Sequence, residues 1–115
     1  MSYDVALRPG SISCGCPHEG CCAGEDVDVG SPTYNLGAMF KEALGGRRLK
    51  ELDGMECENA LPLLLEAVVE MRADPARFKE FNPPNGWGDY EGALRFLEDF
   101  SVLCRRYPHF VVQIT

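Results

Sequence analysis

Between Asp89 and Pro108, the apolar residues Ala93, Phe96, Leu97, Phe100, Leu103, Cys104 and Tyr107 recur at steps of three, one, three, three, one and three. That is one stripe at the helical period and the most regular signal in the chain. Asp89 stands where a helix cap belongs, and Pro108 ends the pattern. A long helix with one apolar stripe has to be covered by a core, and the remaining residues must supply it.

The rest of the sequence reads as partners for that helix. Tyr3, Val5 and Leu7 alternate with Asp4 and Ala6, the period of a strand, and Arg8-Pro9-Gly10 ends it. Residues 10–33 are rich in Gly, Ser, Pro, Cys and Asp. They form a long loop or a hairpin with a cysteine-rich tip, with strand pieces suggested at Ile12 and Val27-Asp28-Val29. Helical spacing resumes at Leu36, Met39, Phe40, Ala43 and Leu44, with Thr33 or Asn35 as cap and Gly45-Gly46 as terminator. Arg47 to Asp53 is a connector with a turn of helix around Leu49 and Leu52.

A further helix runs to about Ala73, with Asp53 and Glu56 as a capping pair and Leu61, Leu64, Leu65, Val68 and Met71 as its buried face. Pro62 predicts that it starts near Asn59 or kinks. Asp74-Pro75 opens a short helix over Ala76–Phe81. Phe110 to Thr115 closes the chain as a strand. The expected fold is α+β: one domain over residues 1–115, a small sheet of N- and C-terminal strands packed against three or four helices. Residues 1–33 hold the first strand and the Cys-rich loop, 34–107 the helical part and 109–115 the last strand.

Charge and hydropathy narrow the function classes. Eleven Lys and Arg stand against 18 Asp and Glu, a net charge of −7 that repels phosphate backbones and argues against nucleic-acid binding. No apolar run approaches the ~20 residues of a membrane span, so no membrane partner is expected. The N-terminus lacks the basic start and apolar stretch of a secretion signal, which predicts a cytoplasmic protein in a compartment that keeps thiols reduced.

Four of the six cysteines fall within nine residues: Cys14, Cys16, Cys21 and Cys22, with His18 among them. Thiolates and imidazole suit zinc, four of them close a tetrahedral site, and the intervening glycines permit the tight turns such a loop needs. These five residues are the candidate metal ligands and zinc the candidate cofactor. Redox or disulfide chemistry and a thiol-rich loop with no ligand are the alternatives, although a bond between adjacent Cys21 and Cys22 would be strained. Cys57 and Cys104 sit in helical patterns as small core residues.

The segment Asn82-Pro83-Pro84-Asn85-Gly86-Trp87-Gly88-Asp89-Tyr90-Glu91-Gly92 cannot be regular structure before Asp89, and it concentrates aromatic and amide groups. Together with Thr33-Tyr34-Asn35-Leu36-Gly37-Ala38-Met39 it resembles a family of small, mostly uncharacterised proteins of actinobacteria and bacteriophages. Members of that family share a Tyr-Asn-hydrophobic helix opening and an Asn-Pro-x-Asn-Gly-Trp-Gly turn. The resemblance runs from about residue 33 to the C-terminus and implies a biological setting, not an activity. The dense cysteine cluster departs from that family, some of whose members carry a single pair.

Tyr34, Asn35, Asn85, Trp87, Asp89 and Tyr90 are the candidate ligand-binding residues, for a small molecule or a host protein. The bland reading of the same residues is helix capping and core plugging. A zinc-stabilised interaction module is the second function class and a small enzyme the third. No complete nucleophile, base and orienting group is visible: His18 lies in the cysteine loop, and His109 offers only a pairing with Cys104. The carboxylates Glu66, Glu70, Glu98 and Asp99 and the basic group Arg47-Arg48-Lys50 read as solvated surface, and no glycine-rich phosphate loop is present. Leu63, Leu65 and Val69 extend beyond one stripe and leave room for a homo-oligomer.

Overall fold

The computed structural model describes residues 2–9, 26–83 and 88–115. Alternation places Val5 and Leu7 on the inner face of β1 (Val5–Arg8), opposite Ile114 and Val112 of β3 (Val111–Ile114) in an antiparallel register. All four are at most 1% exposed. The terminal strands therefore pair as expected, and β2 (Val27–Gly30) adds antiparallel to the other side of β1, giving the order β2-β1-β3. Both terminal strands are shorter than the predicted Tyr3–Leu7 and Phe110–Thr115, and the first starts two residues later and ends one later.

Among the described residues, four α-helices complete an α+β fold around one core. A 3₁₀ turn, Tyr34–Leu36, leads into α1 (Gly37–Ala43). Gly45 and Gly46, both at positive φ, end α1 with the paired bonds of a Schellman motif: Gly46 N–H donates to Lys41 O at 2.8 Å and Gly45 N–H to Glu42 O at 3.3 Å. The connector forms a second 3₁₀ turn, Leu49–Leu52, with Leu49 and Leu52 buried. The third helix, α3 (Pro75–Lys79), begins with Asp74 Oδ1 accepting from Arg77 N–H, and it stops two residues before the predicted Phe81. The last helix, α4 (Tyr90–Arg106), is capped by Asp89, whose Oδ1 accepts from Gly92 N–H at 2.8 Å.

The second helix, α2 (Cys57–Ala73), corrects three expectations. It begins at Cys57, ahead of Asn59, and carries Pro62 inside it, because donors that a helix start leaves unpaired find distant acceptors. Cys57 N–H donates to Phe110 O at 2.8 Å and Glu58 N–H to Pro108 O at 3.0 Å. Asp53 and Glu56 are not its capping pair: Glu56 is the cap residue and makes no side-chain cap bond. Asp53 instead accepts Ile114 N–H at 2.8 Å, while Lys50 Nζ donates to Ile114 O at 2.6 Å. With the Gly54–Val112 and Val112–Met55 backbone bonds, this seals the outer edge of β3, which would otherwise offer open pairing groups. The buried face of α2 is also rotated. Ala60, Leu64, Ala67, Val68 and Met71 are buried, Leu61 is half-buried, and Leu65 points outward.

The helices α2 and α4 run antiparallel. The start of α4 meets the end of α2 through the Tyr90 hydroxyl and Met71 O, and Cys57 at the start of α2 meets Cys104 in the last turn of α4. Arg72 and Glu98 join them at the surface at 2.6 Å.

Candidate functional site

The two motifs singled out by sequence meet in space. Thr33 caps the 3₁₀ turn, its Oγ1 accepting from Asn35 N–H at 3.3 Å. That fixes Tyr34 and Asn35 on the surface, where Tyr34 remains 44% exposed and its ring lies edge-on to Tyr3 with centroids 4.5 Å apart. Gly88, at φ +100°, lies against this opening so closely that a Cβ there would stand 2.8 Å from Thr33 Cγ2 and 2.9 Å from Leu36 Cγ. Asp89 follows it directly, so Tyr34, Asn35 and Asp89 belong to one neighbourhood of the surface. Asn85 and Trp87 lie outside the described residues.

Tyr90 is in a different position. Its ring is buried, and its hydroxyl donates to Met71 O at 2.6 Å. That carbonyl belongs to the last turn of α2, where orphan acceptors are expected, and Pro75 four residues on has no N–H to give it. Tyr90 therefore serves the scaffold. Its own N–H donates to Asn82 Oδ1 at 2.8 Å, which ties the two ends of the 82–90 segment together. Sequence reasoning did not single out Asn82 by itself. The signal was an amide residue opening a Pro- and Gly-rich segment that has to be closed at its base.

The candidate zinc ligands Cys14, Cys16, His18, Cys21 and Cys22 all lie outside the described residues. Among the described residues, no group of three or more His, Cys, Asp or Glu side chains could hold a metal ion. No described helix is long and apolar enough to cross a membrane. Cys57 and Cys104 are core residues, both 0% exposed, whereas His109 is on the surface.

The hydrogen bond to Cys57 and burial push the Cys104 thiol well above its ordinary range, while the same bond holds Cys57 below its own. An unfolded thiol ionises near ~8.5. A pKa raised on folding contributes stability that is whole below the unfolded value and is lost as pH rises beyond it. Tyr90, raised mainly by burial, adds a second decline above about 10. Lowered Cys57 adds stability as pH approaches the unfolded value, so the urea midpoint should hold or rise slightly up to about pH 8 and fall above about 8.5, where the unfolded chain releases both thiol protons and the folded pair only one. In the double variant Cys57→Ala with Cys104→Ala, less stable throughout, the descent beginning near ~8.5 should disappear and leave only the decline from Tyr90. A midpoint that climbs between pH 8 and 10 would refute the assignment.

Leu63, Leu65 and Val69, which extend beyond one apolar stripe in the sequence, lie along a concave surface. An open groove of about 620 Å³ runs between the C-terminal end of α1 and the outer side of α2. Ala43, Leu44, Leu63, Leu65 and Val69 give it an apolar lining, and Glu42, Glu66, Glu70 and Arg47 give it a charged one. Arg77 of α3 lies 3.1 Å from Glu70 and 3.6 Å from Glu42 and braces the three helices there. The chain matches no protein-family model, no curated protein and no solved structure.

Proposed function

We propose that this is a non-enzymatic binding protein of the cytoplasm, phage-associated by its motif resemblance, that takes a small ligand where the Tyr34-Asn35 opening meets the Asn82–Gly92 turn. A host protein is the other occupant this surface could take. The observation that carries the reading is the seating of Gly88 on Thr33 and Leu36. It gathers a half-exposed aromatic ring, an exposed amide and a carboxylate from segments some fifty residues apart. Such a group offers a stacking face with a few polar contacts, the usual make-up of a small-molecule site.

Trp87 is the only tryptophan, so its fluorescence reports on the turn itself. Titration with a panel of nucleosides, nucleotides and aromatic amino acids should give saturable quenching with at least one member. Tyr34→Ala should weaken that binding at least tenfold without lowering the melting temperature appreciably. Absence of saturation across the panel, together with a bare chain mass in native mass spectrometry, would end the small-ligand reading. The same spectrum, from protein purified without chelator, tests the zinc-module alternative: one zinc per chain would favour it, and its absence would remove it.

A further inference from the structure

We infer that the outer face of α2 is a docking site for a basic amphipathic helix of another protein. Pro62, Leu65, Val69 and Ala73 are all exposed on one side of this helix, at steps of three, four and four residues. Val69 is 65% exposed and Leu65 37%. The opposite side already supplies Leu64, Val68 and Met71 to the core, so the helix carries two apolar faces and the fold uses one. The outer stripe borders the groove at the end of α1. A row at this spacing over about three turns is what a partner helix reads with anchors at i, i+3 or i+4, and i+7.

Charge selects the occupant. Glu58 and Glu66 flank the stripe, are exposed, and make no ion pair among the described residues. Glu70 and Glu42 share the single guanidinium of Arg77, Arg72 is held by Glu98, and Arg47 at the end of the groove still leaves the carboxylates in excess. A second copy of this chain would present the same patch by symmetry, laying one carboxylate ridge against another on molecules of net charge −7. A helix with Leu-type anchors flanked by Lys or Arg meets the stripe and neutralises its borders. This surface shares no residue with the Tyr34–Asp89 neighbourhood, so either can fail without the other.

The test uses two synthetic 18-residue helical peptides with the same leucine stripe, one flanked by Lys and one by Glu, read by fluorescence anisotropy at physiological salt. The Lys peptide should bind one to one and saturate, and the Glu peptide should not. Val69→Asp should weaken the Lys peptide at least tenfold, although it makes the protein more acidic. Val69 is mostly solvated, so the variant should keep its circular dichroism spectrum, and Glu66→Lys should also weaken binding. Three outcomes would overturn the inference: Lys-peptide affinity unchanged by Val69→Asp, equal binding of the Glu peptide, or a dimer in sedimentation velocity that Val69→Asp dissociates, which would give the face to a second copy.

Discussion

Gly88→Ala should cost about 2–5 kcal/mol, the sum of two independent penalties. Residue 88 has φ +100°, where an L side chain is strained by about 1–2 kcal/mol. The added methyl would also stand 2.8 Å from Thr33 Cγ2 and 2.9 Å from Leu36 Cγ, closer than carbon atoms approach without movement. Overpacking of that kind costs about 1–3 kcal/mol. For a chain of this length the sum lowers the melting temperature by roughly 8–20 °C. Gly54→Ala separates the two penalties. Its φ is +86° but nothing lies within 4 Å of its Cβ, so it should show the backbone penalty alone. Thr33→Ser keeps the capping hydroxyl and deletes Cγ2, and it should recover part of the Gly88→Ala loss. Equal melting temperatures for Gly88→Ala and Gly54→Ala would show that the turn does not rest on the helix opening, and the proposed ligand surface would lose its support.

What could be read ahead of the structure follows the range of the forces involved. Local rules were enough for α4, for Asp74 and Asp89 as caps and for Gly45-Gly46 as a terminator, because each depends on residues within one or two turns. The pairing of β1 with β3 followed from alternation and the need for one core. The early start of α2 did not, because its first donors are satisfied by Pro108 and Phe110 about fifty residues downstream. Asp53 beside Glu56 looked like a cap from sequence, but the carboxylate of Asp53 closes the edge of β3 at Ile114. The stripe Leu61, Leu64, Leu65, Val68 and Met71 puts Leu65 inside, although with Leu63 and Val69 it also extends beyond a single face. The core instead takes Ala60 and Ala67, whose small side chains let neighbouring elements approach closely. At the candidate site, motif composition brought Tyr34, Asn35 and Asp89 to notice, while the close approach of Gly88 that joins them is a tertiary fact. Tyr90 stood out as an exposed aromatic candidate, and the unpaired Met71 carbonyl claims it for the scaffold.

Phe78→Ala should be among the most damaging substitutions in the helical layer, at about 3–5 kcal/mol. Phe78 is 0% exposed and is the one buried residue of α3, a helix of five residues. A helix that short has no stability of its own, so its place depends on what it buries. The ring also lies 4.5 Å beneath the Arg77 guanidinium, which spans Glu42 of α1 and Glu70 of α2. Removing the ring therefore opens a cavity and releases the arginine that braces the groove. Arg77→Ala alone should cost under about 1 kcal/mol, since its ion pairs are partly exposed and screened. If α3 is held by Phe78, adding Arg77→Ala to Phe78→Ala should change almost nothing, because the guanidinium is already displaced. Additive losses would mean that Arg77 keeps its position without the ring, and that α3 is anchored by its charges and not by its core residue. Amide exchange at Arg77, whose N–H is held by Asp74, gives the same answer residue by residue: it should lose protection in Phe78→Ala and keep it in Phe78→Leu.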